Sequence, residues 1–189
     1  IVTGTAANGC KASDTVAITV NNPVTFIAPP GKEMCVKGSV QLEGNNGNAV
    51  NYIWSPAAFL SDPYAVDPIA NPVATTAFYV TVTDKKCNTD SSFTVLVTVN
   101  PLPDVIASKA NDISCSVRGA GLSAIGAQSY SWTPSASLNN ALSATPIASP
   151  LVNTTYTVTG TDVNGCDNQD SITVLVKLNN NNFVVPNAF

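Results

Sequence analysis

The sequence has no histidine, a single methionine and few charges: among 189 residues there are 8 Lys+Arg and 12 Asp+Glu, or 11%. Soluble domains usually carry about 25% charged residues. Without an imidazole, a Ser–His or Cys–His nucleophilic dyad and a histidine-ligated metal centre are both excluded. The net charge of -4 and pI near 4.4 give no basic surface for a phosphate backbone, so nucleic acid is not an expected partner. Long apolar runs are missing too. The stretch Phe93 to Val99 is broken by threonines and falls short of the roughly 20 residues that span a bilayer. No charged leader precedes the first apolar residues, so no signal peptide is recognised. The chain also begins inside a repeating pattern, as expected for a piece of something longer. No cofactor is expected.

Hydrophobic residues make up 44% of the chain, enough for a core and outside the composition of disordered chains. Thr, Ser, Asn and Ala stand where charges usually do. The dominant feature is an internal repeat. CVKGSVQL (35–42) matches CSVRGAGL (115–122), YIWSP (52–56) matches YSWTP (130–134), and DPIANPVATTAFYVT (67–81) matches TPIASPLVNTTYTVT (145–159). The offsets agree: 80 between Cys35 and Cys115, 78 between Trp54 and Trp132 and between Phe78 and Tyr156, and 79 between Cys87 and Cys166. The pattern divides the chain into a closing hairpin of a preceding repeat (1–22), two complete repeats (23–100 and 101–179) and a tail (180–189). Asn21-Asn22-Pro23 and Asn100-Pro101-Leu102-Pro103 read as short, stiff junctions, because proline fixes φ. Asn179 to Asn182 reads as a flexible linker.

Within each repeat the hydrophobic period is two. Tyr156, Val158 and Gly160 fall on one face with Thr157, Thr159 and Thr161 on the other, and Ile172, Val174, Val176 and Leu178 point inward on the returning strand. The first repeat places Phe78, Val80 and Val82, then Phe93, Val95, Val97 and Val99, in the same way. Ala7-Asn8-Gly9 and Val163-Asn164-Gly165 are hairpin turns, since Asn-Gly accepts positive φ. No segment has a helical period. The expectation is all-β: tandem Ig-like sandwich modules of about seven strands, with Trp54, Trp132, Phe78 and Tyr156 as core aromatics.

Each complete repeat has one cysteine before its second strand and one in its last hairpin, so the count predicts one disulfide per module. The pairs would be Cys35–Cys87 and Cys115–Cys166, with Cys10 bonded to a partner upstream. A thiolate zinc site would need closely spaced cysteine pairs, which are missing. Acid–base chemistry has weak candidates in Asp62, Asp67, Asp84 and Asp162, but none recurs as a constellation, and aspartate at a turn is ordinary turn chemistry. Calcium in such a turn lacks an EF-hand-like ligand count. Catalytic and metal residues are therefore expected to be none.

Asp14-Thr15-Val16 and Asp170-Ser171-Ile172 occupy equivalent positions and resemble the Asp-(Ser/Thr)-aliphatic O-glycosylation acceptor of exported Bacteroidota proteins, which implies glycans on Thr15 and Ser171. The first complete repeat departs from it at Ser91-Ser92-Phe93. Asn153-Thr154-Thr155 also fits the N-glycosylation sequon. The succession of WSP or WTP, NPVATTAFYVTVTD or SPLVNTTYTVTGTD, NGC and DSITV resembles the tandem Ig-like or PKD-like repeats of Bacteroidota surface proteins, including gliding-motility adhesins and filaments. The chain departs from antibody-type Ig domains in carrying its second cysteine in the last hairpin. It departs from PKD domains in lacking an Asp-Gly-rich turn after the tryptophan. Residues 183–189, FVVPNAF, resemble the opening of the gliding-motility-associated C-terminal domain, a type B sorting signal for type IX secretion.

The resemblance implies a non-enzymatic, cell-surface stalk or adhesin segment whose partners are neighbouring repeats of its own chain and other copies in a filament. Binding of surface glycans or a host or substratum protein would use the loops that differ between repeats, 43–51 against 123–129 and 57–66 against 135–144. A third reading makes the repeats spacers for an upstream extracellular enzyme.

Overall fold

Alternating β-branched and hydroxyl residues fold as strands whose apolar side chains share one face. The computed structural model describes residues 1–20, 27–44, 51–84 and 89–177. Among these the structure is all-β, with one 3₁₀ turn at Ala57–Phe59 and no α-helix. The chain forms two compact units. One comprises Ile1–Gly31, Gln41–Ala70 and Ala77–Leu96; the other comprises Lys32–Val40, Asn71–Thr76 and the chain from Val97 onward. Three segments of the first sequence repeat thus group with the second.

Strands β1 (Val2–Thr5) and β2 (Lys11–Asp14) form a hairpin that is exposed throughout. In the first complete repeat, β3 (Lys32–Cys35), β8 (Thr89–Asn100), β7 (Thr76–Asp84) and β5 (Asn51–Ser55) form one sheet in that order. β4 (Val40–Gln41) pairs with β6 (Ile69–Ala70). In the second repeat, β12 (Ser129–Thr133), β14 (Thr154–Thr161) and β15 (Asp167–Val174) form one sheet, and β13 (Ile147–Ala148), β11 (Ala120–Ile125) and β9 (Ile106–Lys109) form another. The short β10 (Ile113–Ser114) runs parallel to β16 (Val176–Lys177), which continues β15 after Leu175. With β15 and β16 taken as one strand, the second repeat has the seven strands and the sheet partition of an Ig-like sandwich.

The core lies between these sheets. Ala120, Leu122, Ala124 and Ala148 of one sheet pack against Trp132, Tyr156, Val158 and Val174 of the other. In the first complete repeat Trp54, Phe78, Val80, Val82, Val95 and Val97 are buried at the corresponding positions. Both tryptophans are anchored alike. The Trp54 indole N–H donates to Ala65 O at 3.0 Å and that of Trp132 to Ser143 O at 3.0 Å, which satisfies the one polar atom each ring carries inside. Each is followed by a cis X-Pro bond, Ser55–Pro56 or Thr133–Pro134. The outer faces explain the low charge. Directly opposed hydroxyls bond each other across strands, Thr155 to Thr173 at 2.8 Å and Thr3 to Ser13 at 3.0 Å, where ion pairs would otherwise stand.

Candidate functional site

The second compact unit holds the cysteine chemistry. A hairpin turn over Asp162–Cys166 is closed by the Asp162 N–H donating to Cys166 O (3.0 Å), with Gly165 taking the positive φ of 77°. The Asp162 carboxylate accepts the N–H groups of Asn164 and Cys166, both at 2.8 Å, and so fixes the cysteine backbone. Cys35 ends β3, whose register against β8 sets it opposite Asn100 at the close of the first repeat. A tight turn follows, with Gly38 N–H donating to Cys35 O at 2.9 Å and Lys37 at φ 66°.

These two cysteines are bonded to each other. The Cys35–Cys166 disulfide has a Cα–Cα distance of 5.6 Å across a sequence separation of 131. Cys166 is fully buried, whereas Cys115 and Cys10 are free and exposed. This corrects the expected pairing of one disulfide within each module: Cys35 does not bond Cys87 and Cys115 does not bond Cys166. Cys87 itself lies outside the described residues. The reason is strand length. Ser114, next to Cys115, pairs with Lys177 at the far end of the last strand, and Cys166 precedes the start of that strand. Eleven positions of extended chain, at ~3.3 Å each, put them roughly 35 Å apart, where a disulfide needs Cα atoms within about 7 Å. The register decides it: a hairpin cysteine and a cysteine beside the end of the returning strand lie at opposite ends of the sandwich.

Next to Cys115 is an open groove of about 550 Å³, lined by Ile113, Arg118, Pro150, Leu151 and Val176. Of its lining residues, Leu151 is 89% exposed. The acidic residues serve structure. Asp62 and Asn140, 78 positions apart, each accept the N–H two residues on, from Tyr64 at 2.9 Å and Leu142 at 3.0 Å. Asp67 accepts Gly44 N–H at 2.9 Å, and Asp84 is buried. Burial pushes the Tyr52 phenol up, with the Asp67 charge adding to it, and its hydroxyl has no hydrogen-bond partner among the described residues. Among the described residues no three His, Cys, Asp or Glu side chains converge as a metal site.

One cluster had no signal in the sequence. The Asp112 carboxylate bonds the Lys109 ammonium, accepts Leu175 N–H at 3.2 Å and pairs with Lys177 at 3.2 Å. The Lys109 hydrogen bond, followed by that from Leu175, holds its pKa at about 2. It ties the β9–β10 crossover to the last strand. The hydroxyls of interest are both exposed, and in both the preceding aspartate accepts the backbone N–H at 2.8 Å: Thr15 to Asp14 and Ser171 to Asp170. Asp170 also accepts Ala107 N–H at 2.8 Å, which is the first reason its carboxyl sits below the usual range.

No family model and no curated protein matches the chain. Solved structures do. A PKD domain from the KIAA 1837 protein is 20% identical over 43% of this chain and 93% of its own, with a TM-score of 0.35. The N-terminal eight Ig domains of Down Syndrome Cell Adhesion Molecule are 10% identical over 79% of this chain and 27% of their own, with a TM-score of 0.49. Sidekick-1 immunoglobulin domains 1–5 are 14% identical over 90% and 44%, with a TM-score of 0.39. The Ig-like assignment stands on the chain's own strand order and core.

Proposed function

We propose that the chain is a segment of an extracellular stalk or adhesin built from Ig-like modules, with no catalytic role. The observation that carries this reading is the Cys35–Cys166 bond, which ties residues of successive sequence repeats together. A disulfide persists in oxidising, extracytoplasmic surroundings. A covalent link from one repeat to the next resists separation, which a load-bearing stalk requires and an isolated domain does not. The hydroxyl-covered outer faces suit a surface held in water at low charge.

In finer detail, the reading is a Bacteroidota surface protein exported by type IX secretion. The repeats divide at 23–100 and 101–179, residues 1–22 close a preceding repeat, and 183–189 open a sorting domain. Thr15 and Ser171 carry O-glycans. The motif resemblances support these assignments, and exposure of both hydroxyls supports the last. The test is surface labelling of cells that make the full-length protein. Label should be lost when the chain is truncated before Phe183 or when type IX secretion is disabled. Retention of the label in both strains would refute the export route, and a cytoplasmic location in the parent strain would refute the stalk.

A further inference from the structure

The Cys35–Cys166 bond changes the route along which a pull travels through the chain. It joins the end of β3 to the residue before β15 across a sequence separation of 131. A pull that enters at Lys32 follows β3 to Cys35, crosses the two sulfurs to Cys166, runs along β15 and β16 and leaves at Lys177. Residues 36–165 hang from this route as a closed loop. Among the described residues, every buried hydrophobic side chain except Met34, Cys166 and Val174 belongs to that loop, Trp54, Phe78, Trp132 and Tyr156 included.

The route itself has little length to give. β3, β15 and β16 are strands, which already rise ~3.3 Å per residue where a taut chain reaches at most about 3.6 Å. The loop is fastened along them. At the entry, β3 lies parallel to the end of β8, from Lys32 opposite Val97 to Cys35 opposite Asn100. At the exit, β15 pairs with β14 from Asp167 opposite Thr161 to Val174 opposite Thr154. Further along, Asn153 Oδ1 accepts Val176 N–H at 2.7 Å, and Asp112 accepts Leu175 N–H and pairs with Lys177, both at 3.2 Å. Pulled along their own axes, these strands carry the load in their covalent backbone. The hydrogen bonds that hold the loop to them are not in series with it.

We propose that the disulfide takes both sandwich cores out of the load path, so that the modules between Cys35 and Cys166 stay folded while the chain is under tension. The proposal rests on the reading of the chain as a load-bearing stalk. Loops such as 57–66 and 135–144 lie inside the protected stretch and keep their shape under load, whereas modules loaded in series would open and lose it. Without the bond, the same pull runs through both cores, and 131 residues release up to roughly 450 Å of chain.

The test holds the full chain between handles joined to its two ends through peptide tags, at constant force. Cys10→Ser, Cys87→Ser and Cys115→Ser leave a single possible bond, and the unsubstituted chain is run in the same way in case the triple variant does not fold. A dithiol reductant is added under load. Its first thiolate attacks one sulfur, forms a mixed disulfide there and releases the other cysteine; its second thiol then closes on the first as a cyclic disulfide and frees the remaining cysteine. Before reduction the length gained should stay below roughly 200 Å, all that the residues outside 35–166 contain. After reduction roughly 450 Å should follow in separate steps, those of folded modules, as in Cys35→Ala/Cys166→Ala or in the reduced chain relaxed and pulled again. A single step of the full length at the moment of reduction means that the loop had already unfolded under load, and it overturns the proposal. Peptide mapping of the same preparation separates this idea from the reading beneath it. Single-step release with Cys35–Cys166 present sinks only the load routing. Absence of the Cys35–Cys166 peptide, with the full length gained before any reductant, sinks the stalk reading as well.

Discussion

Reducing the Cys35–Cys166 bond should destabilise the second compact unit more than any single side-chain loss. The bond closes a loop of 131 residues. On the chain-entropy relation such a loop restricts the unfolded state by about 5 kcal/mol. For a protein of this size, 1 kcal/mol moves the melting temperature by about 2–4 °C, so the expected drop is roughly 10–20 °C. The assay is calorimetric melting of the oxidised chain against the same chain in a thiol reductant, with Cys35→Ala/Cys166→Ala as the genetic counterpart. The double variant should melt at or slightly below the reduced protein, because Cys166 is fully buried and its truncation leaves a small gap. Peptide mapping of Cys35→Ala supplies the sharpest discrimination. Cys166 should then be a free thiol, whereas a Cys115–Cys166 bridge in that variant would show that the strand-length reasoning is wrong. A reduction-induced shift below about 3 °C would refute the entropy argument.

Other outcomes follow from single contacts. Trp132→Ala should cost about 3–5 kcal/mol in urea unfolding, because it empties the centre of the second core and leaves Ser143 O without its donor. Asp112 has a folded pKa of about 2, below its unfolded value, so its contribution is present above the ordinary carboxyl range near ~3.9 and is lost as pH falls towards about 2. Asp112→Asn should therefore flatten the fall of the urea midpoint between pH 5 and pH 2, and an unchanged slope would count against the Lys109 and Leu175 contacts. Gly126→Ala should unfold or severely destabilise the second repeat, since a Cβ there would lie 1.8 Å from Asp104 O at a φ of 95°; a normal melt would contradict that loop. Intact mass of protein purified from its native surface should exceed the bare sequence by glycan mass, and Thr15→Ala/Ser171→Ala should abolish the excess.

Much of the fold was legible locally. Alternation along Phe78, Val80, Val82 and along Tyr156, Val158, Gly160 names the buried face, because side chains on a strand switch sides at every residue. The Asn-Gly turns were readable because positive φ is a local demand met by Gly9 and Gly165. The Asp112 cluster was not readable. It joins Lys109 to Lys177, which are far apart in sequence, and no period or motif places them together.

The cysteines divide the two kinds of information most cleanly. Their recurrence, one near the start of each repeat and one in its closing hairpin, can be read along the chain, because it is a property of residue order. Residue order also shows that strands separate the two. Which sulfurs meet depends on the folded arrangement, because a disulfide requires Cα atoms within a few ångströms. The register that sets β3 against the end of β8 and β10 against β16 puts the two cysteines of the second repeat a full strand apart, and it leaves Cys35 beside the hairpin of the repeat that follows.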